Sequence, residues 1–138
     1  MKKVLSFLFA IIISVCLLSC HSQKERKYYA DESNYVTATG IVTYIKYSDK
    51  KDALYLAFDS IDYPFSDDCF KIVGKNLKNA QENGIDDILQ IDDSVTFITA
   101  PKYWGDGYVM PIVALTVDGE ILLSFEDGFD NLQKWLSE

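Results

Sequence analysis

The sequence predicts an α+β domain with a mostly antiparallel, curled sheet of five to six strands, one inserted helix and a short C-terminal helix. Three observations carry this prediction. Segments rich in Val, Ile, Thr and Tyr lie on both sides of one stretch with helical spacing. Polar turns join neighbouring apolar segments in the way that hairpins require. The last residues return to helical spacing, so a helix is expected to close the domain.

Residues 35–47 predict a long first strand, because almost every side chain there is Val, Ile, Thr or Tyr. Gly40 in its middle indicates a bulge or a sharp bend, which lets a sheet curl. A polar turn at residues 48–52 leads to a segment at residues 53–59 that places Leu54, Leu56 and Phe58 on one face of a strand and Ala53, Tyr55 and Ala57 on the other. The two strands are therefore predicted to form a hairpin.

Residues 60–65 fit either a short third strand or an ordered loop. A helix is then predicted from a cap within residues 66–68 to about residue 83, with Gly84 as its stop. Its apolar residues recur at spacings of three and four: Phe70, Val73, Leu77 and Ala80. That spacing would bury one stripe of the helix against the sheet.

The second half of the domain is predicted as a packed turn, three strands and the closing helix. The predicted ranges are 85–91, 94–100, 108–117, 120–125 and 127–136. Pro111 indicates an edge or bulge position, and Asp118-Gly119 is typical of a two-residue hairpin turn. This order of elements is similar to that of an OB-type barrel, so a small OB-like barrel is the alternative form of the fold. The likeness transfers no binding residues.

Residues 1–20 have the pattern of an export signal. Lys2 and Lys3 precede an uncharged, mainly apolar run at residues 4–18. As a helix this run would span about 22 Å, which is short of the ~30 Å hydrocarbon core of a bilayer. A secretory signal is therefore favoured over a permanent transmembrane helix.

The sequence Leu17-Leu18-Ser19-Cys20 resembles the lipobox of bacterial prolipoproteins. The resemblance implies cleavage after Ser19, acylation of Cys20 by diacylglyceryl and palmitate groups, and anchoring to a bacterial cell membrane or envelope outside the cytoplasm. It divides the chain into a signal peptide at residues 1–19, an acylated Cys with a polar tether at residues 20–34, and one globular domain at residues 35–138. The alternative is a secreted protein in which Cys20 is incidental.

The charge of the chain limits its partners. Without residues 1–19 the protein has 11 basic and 21 acidic residues, a net charge of about −10. A nucleic-acid surface needs clustered cations, so nucleic acid is not expected as a partner. An acidic surface favours a basic protein or peptide. Cys69 would be the single remaining thiol, so an internal disulfide is excluded. We interpret Cys69 as a half-buried residue without a chemical role.

The sequence contains no catalytic motif that would indicate a particular reaction. His21 is the only histidine and lies in the tether, so the common Ser-His, Cys-His and multi-histidine metal sites are not expected. Adjacent aspartates are interpreted as caps and solvated surface, and no cofactor is indicated. We therefore expect a non-enzymatic binding or accessory domain. The alternatives are a carboxylate-based envelope enzyme and a small-ligand-binding lipoprotein.

The best candidate site in the sequence is the loop at residues 101–108, between two predicted strands. Large aromatic side chains on a glycine-rich loop provide broad, stiff contact area at low entropic cost. The candidate binding residues are Tyr103, Trp104, Asp106 and Tyr108. The alternative is a hairpin tip at which Trp104 folds back over the end of the barrel.

Overall fold

A computed structural model of the protein describes residues 23–65, 69–101 and 109–138. Contacts divide the chain into two units, Met1–Glu32 and Ser33–Glu138. In the first unit, residues 23–30 form helix α1 within the segment predicted as a tether. Its Gln, Lys, Glu and Arg side chains favour a helix. No helix in the described part of the chain is both long enough and apolar enough to cross a membrane.

The second unit is α+β, as the sequence predicts. The strands among its described residues are β1 (Val36–Tyr47), β2 (Ala53–Asp59), β3 (Cys69–Val73), β4 (Ser94–Thr99), β5 (Met110–Val117) and β6 (Glu120–Leu123). Its helices are α2 (Gly74–Glu82), the single turn α3 (Ile85–Ile88) and α4 (Phe125–Ser137). The curled, mostly antiparallel sheet with an inserted helix and a C-terminal helix is confirmed.

The long strand β1 lets the sheet curl into a closed ring. Its first half pairs with β4 and its second half with β2, both antiparallel. Strand β3 pairs antiparallel with β2 and parallel with the start of β5, at Phe70 opposite Met110 and Lys71 opposite Pro111. Because β5 also pairs with β4, the ring closes in the order β1, β2, β3, β5, β4. Strand β6 extends the sheet beside the far end of β5.

Stacked phenylalanines fill the interior of the ring. Phe58 and Phe97 stack with ring centroids 4.5 Å apart, and Phe70 lies edge-on to Phe97 at 4.9 Å. Gly40 contributes by its small size, because a Cβ atom there would lie 2.8 Å from the Cβ of Phe58. The sequence predicts a bulge or a sharp bend at Gly40, and the bulge lies nearby, between Val42 and Tyr44.

The predicted start of the inserted helix is wrong, because Cys69–Val73 is strand β3. Phe70 and Ile72 alternate into the core, and Gly74 then takes a positive φ of 58° that opens α2. Phe70 and Leu77 have helical spacing and both are buried, but Phe70 lies on β3 and Leu77 lies on α2. The predicted cap at residues 66–68 lies outside the described residues, and residues 61–65 form a loop.

Two glycine predictions are confirmed. Gly84 follows α2 in the left-handed conformation, with a φ of 92°. Asp118 and Gly119 have φ values of 50° and 80° and join β5 to β6, as a type I′ hairpin turn requires.

A buried polar clasp joins α2 to α4. The side-chain amide of Asn76 donates to the Gly128 carbonyl at 2.9 Å, and that of Asn131 donates to the Asn76 Oδ1 at 3.0 Å. Gly128 also faces β5 so closely that a Cβ atom would lie 1.7 Å from the Val113 carbonyl oxygen. The position of α4 is therefore set by the absence of a side chain at residue 128.

Candidate functional site

A β-bulge decides which side chains of β1 face the solvent. Up to the bulge, Ala38 and Val42 point into the core. Beyond it, Ile45 and Tyr47 pack against the core and Tyr44 lies outside, with 44% of its surface exposed. One extra residue reverses the alternation of side chains along a strand, and bulges commonly re-aim side chains in this way. The outward direction of Tyr44 and Lys46 follows from this reversal.

The register continues this pattern across three strands. Lys46 pairs with Tyr55, and Tyr55 with Lys71, so the three side chains form one row. The neighbouring row consists of Tyr44, Ala57 and Cys69. Directly paired residues share a face of the sheet. We call the six residues of these two rows the outer β1–β3 face: Tyr44, Lys46, Tyr55, Ala57, Cys69 and Lys71.

An open cleft of about 430 Å³ lies on this face at the turn between β1 and β2. Its lining residues are Tyr44, Lys46, Tyr47, Ser48, Asp49, Tyr55 and Cys69. Three of these are tyrosines, which combine a broad apolar ring with a hydroxyl group. The cleft is within the usual volume range of small-molecule sites, roughly 300 to 1,000 Å³.

Hydrogen bonds hold the turn at the end of the cleft. The Ser48 hydroxyl donates to Asp52 Oδ1 at 2.7 Å and accepts from the Asp52 and Ala53 backbone N–H groups at 3.1 Å. The Tyr47 hydroxyl donates to Asp86 and accepts from the Gln81 side-chain amide at 3.1 Å. This links the cleft to α2 and α3, so its wall is preorganised by the helical layer.

Two ionisable groups near the cleft have shifted pKa values: Tyr47, which lines the cleft, and Lys71, which lies on the outer β1–β3 face. Desolvation and the hydrogen bond to Asp86 raise the pKa of the Tyr47 hydroxyl, because both oppose the phenolate. Burial lowers the pKa of the Lys71 ammonium below its ordinary value. Lys71 lies in the same row as Lys46 and Tyr55 but is not among the lining residues of the cleft.

The structure does not test the site residues predicted from the sequence. Cys20, Tyr103, Trp104, Asp106 and Tyr108 all lie outside the described residues. They stay predictions. Cys69, interpreted as a spectator, is half-buried at the edge of the cleft and forms no disulfide.

Sequence reasoning missed the outer face, although a signal for it exists. In β1, the side chains that point into the core are two residues apart up to Val42. The next inward side chain, Ile45, comes three residues later. A step of three inside a strand is typical of one extra residue.

No group of three or more His, Cys, Asp or Glu side chains within residues 23–65, 69–101 and 109–138 is arranged to hold a metal ion. The described lining of the cleft includes one carboxylate, Asp49, whereas two-carboxylate catalysis of glycoside cleavage requires a pair about 5 to 10 Å apart.

Comparison with protein-family models, with curated proteins and with solved structures finds no match to this chain.

Proposed function

We propose that this protein is a membrane-tethered lipoprotein whose domain binds an extended glycan on the outer β1–β3 face without transforming it. The observation that carries the proposal is the bulge between Val42 and Tyr44, which directs Tyr44 and Lys46 away from the core. Tyr44 is 44% exposed beside Lys46 and shares the outer face with Tyr55, and aromatic rings grouped with polar side chains on an open surface suit ligand binding.

The chemistry of the cleft supports a sugar ligand. The rings of Tyr44 and Tyr55 offer apolar surfaces for the C–H faces of sugar rings. Lys46 supplies donors and Asp49 supplies acceptors for hydroxyl groups. The cleft is open along the surface, so a chain longer than the cleft fits across the strands.

The order of strands around the ring also supports this face. With a helix between β3 and β4, it resembles the OB-type arrangement, in which the second and third strands and the adjoining loops bind oligosaccharides or oligonucleotides. This is a likeness of fold. The net charge of −8 disfavours an oligonucleotide, since its phosphates would meet an acidic protein.

The anchor belongs to the same proposal. Acylation of Cys20 would keep the domain at a bacterial membrane, where an envelope glycan is present at high local concentration. Weak binding by an open cleft then suffices for function.

Binding can be tested with chitotetraose as a defined glycan and Cys69 as the reporter. The full chain in neutral detergent is alkylated with iodoacetamide, and the peptide that ends at Lys71 is quantified by mass spectrometry. We expect saturable protection of Cys69, because the thiol lines the cleft. Tyr44→Ala and Tyr55→Ala should each weaken protection about tenfold, since a lost aromatic contact is worth roughly 1 to 1.5 kcal/mol.

Ile121→Ala is the matched control, because Ile121 is 64% exposed on β6 and is not part of the face. It should leave protection unchanged. The proposal would be contradicted if Ile121→Ala weakened the protection of Cys69 as much as the tyrosine variants do. It would also be contradicted if chitotetraose gave no protection. Loss only in a Tyr103→Ala/Trp104→Ala variant would move the site to the loop at residues 101–108. Protection by a basic peptide instead of the glycan would favour the basic-partner hypothesis.

A further inference from the structure

A second cleft, of about 510 Å³, lies between α2 and α4 and shares no lining residue with the first. Its lining residues are Gly74, Lys75, Lys78, Asn131, Lys134, Trp135 and Glu138. Three of the seven are lysines, against one acidic side chain, Glu138. This local excess of positive charge occurs in a chain whose net charge is −8.

The three lysine side chains are available to a ligand. Lys75 and Lys78 lie one turn apart on α2, and Lys134 lies on α4. In the described part of the chain, no ion pair involves any of the three. Nearby acids include the exposed Asp130, one turn before Lys134, and Asp127, which is held by the Ser124 cap. Ammonium groups on two packed helices repel one another, and an anion bound between them removes that repulsion.

The indole of Trp135 forms an apolar wall beside these charges. Its Cδ1 lies 2.9 Å from where a Cβ atom of Gly74 would be, so the ring lies directly on the backbone at the start of α2. The residue remains 39% exposed. An indole held against glycine offers a fixed surface for the carbon skeleton of a ligand.

The walls of the cleft are held rigidly. The clasp of Asn76, Asn131 and the Gly128 carbonyl is buried between the same two helices, with Asn76 only 2% exposed. Buried hydrogen bonds of this kind fix the separation of the helices. The lysines therefore project from fixed backbone positions.

We propose that the α2–α4 cleft binds a soluble sugar phosphate, with the phosphate between Lys75, Lys78 and Lys134 and the sugar ring on Trp135. Phosphate is favoured over a single carboxylate, because a dianion with three terminal oxygens can accept from several lysines at once. A binding site of this kind would make the domain responsive to a small metabolite, and it is independent of the glycan face.

Fluorescence of Trp135 provides the test. The chain has two tryptophans, so Trp104→Phe leaves Trp135 as the only one. The full chain in neutral detergent is titrated with glucose 1-phosphate, with glucose and with inorganic phosphate. We expect a saturable change with glucose 1-phosphate at lower concentration than with either half of the molecule, and a weakening as salt is added.

Charge variants locate the site. In the same background, Lys75→Gln/Lys78→Gln/Lys134→Gln should raise the Kd at least about tenfold, because three charge-assisted contacts with the phosphate are removed. The control Lys24→Gln/Lys27→Gln/Lys50→Gln changes the net charge equally at exposed positions outside the cleft. It should change the Kd less than about twofold, and Glu138→Gln should tighten binding. Each variant is first checked for an unchanged Tm.

Three outcomes would overturn the proposal. One is the absence of a saturable response to glucose 1-phosphate. Another is an equal loss of affinity in the control triple variant, which would mean that binding follows net charge. The third is a response only to vesicles that contain phosphatidic acid, which would assign the cleft to a lipid headgroup.

Discussion

Replacing Gly128 with alanine tests the packing that positions α4. In an exposed helix the change would stabilise by about 1 kcal/mol, because alanine favours a helix. Here the new Cβ atom would lie 1.7 Å from the Val113 carbonyl oxygen, and real Cβ atoms essentially never approach another atom within 3.0 Å. The helix must therefore move by at least about 1.3 Å. The structure thus predicts the opposite sign from helix propensity.

The magnitude follows from two costs. Overpacking against a backbone costs about 1 to 3 kcal/mol. Movement of α4 also strains the bond from Asn76 to the Gly128 carbonyl, and a buried amide left without a partner costs about 1 to 3 kcal/mol. With the propensity gain of about 1 kcal/mol subtracted, we expect a net loss of about 1 to 5 kcal/mol, centred near 3 kcal/mol, which lowers Tm by roughly 10 to 15 °C.

Urea denaturation followed by circular dichroism, together with a thermal melt, measures this loss. Gly119→Ala is the matched control, because Gly119 has a φ of 80° but no atom within 4 Å of the added Cβ. It should lose only about 1 kcal/mol, from backbone strain. A Gly128→Ala protein that is as stable as the wild type would refute the close approach of α4 to β5.

Two further predictions concern charge and the anchor. Because burial lowers the pKa of Lys71 in the folded state, the unfolded chain binds more protons and the free energy of unfolding should rise with pH through the folded pKa towards 10.5. Lys71→Met should flatten that rise in urea titrations between pH 8 and pH 11, and an unchanged slope would count against burial as the cause. Cys20→Ala should release the protein from the membrane fraction and remove the acyl mass. A variant that is still membrane-bound and processed at the same position would disprove the lipoprotein hypothesis.

Much of the fold is predictable from local chemistry. The turn at Asp118-Gly119 needs positive φ at two successive residues, and few other dipeptides tolerate this. These two residues are therefore enough to predict the hairpin of β5 and β6. Gly84 marks the end of α2 for the same reason. Strand β1 is equally clear from its run of β-branched and aromatic residues. In each case the signal and the structure that it specifies are close together in sequence.

Strand β3 shows where local reasoning fails. Phe70, Leu77 and Ala80 have helical spacing, and all three are buried. The first of them, however, lies on a strand whose partners are β2 and β5. Five residues with Phe70 and Ile72 inward fit a short strand as well as a helix, and the pairing that decides between them involves Met110, 40 positions away.

The candidate site was hidden for a related reason. A strict alternation from Val42 would place Tyr44 and Lys46 in the core, and a buried unpaired lysine is costly. Lys46 therefore argues against strict alternation. The partly buried Ile45 shows which side chains point inward in the second half of β1. Lys46 outside and Ile45 inside are compatible only if the strand has one residue more between Val42 and Ile45 than a strict period of two allows. The bulge is thus a local consequence of which side chains tolerate burial, but the cleft also needs Tyr55 and Cys69 from neighbouring strands. The direction of the side chains can be inferred from β1 alone, whereas the cleft requires the register of the sheet.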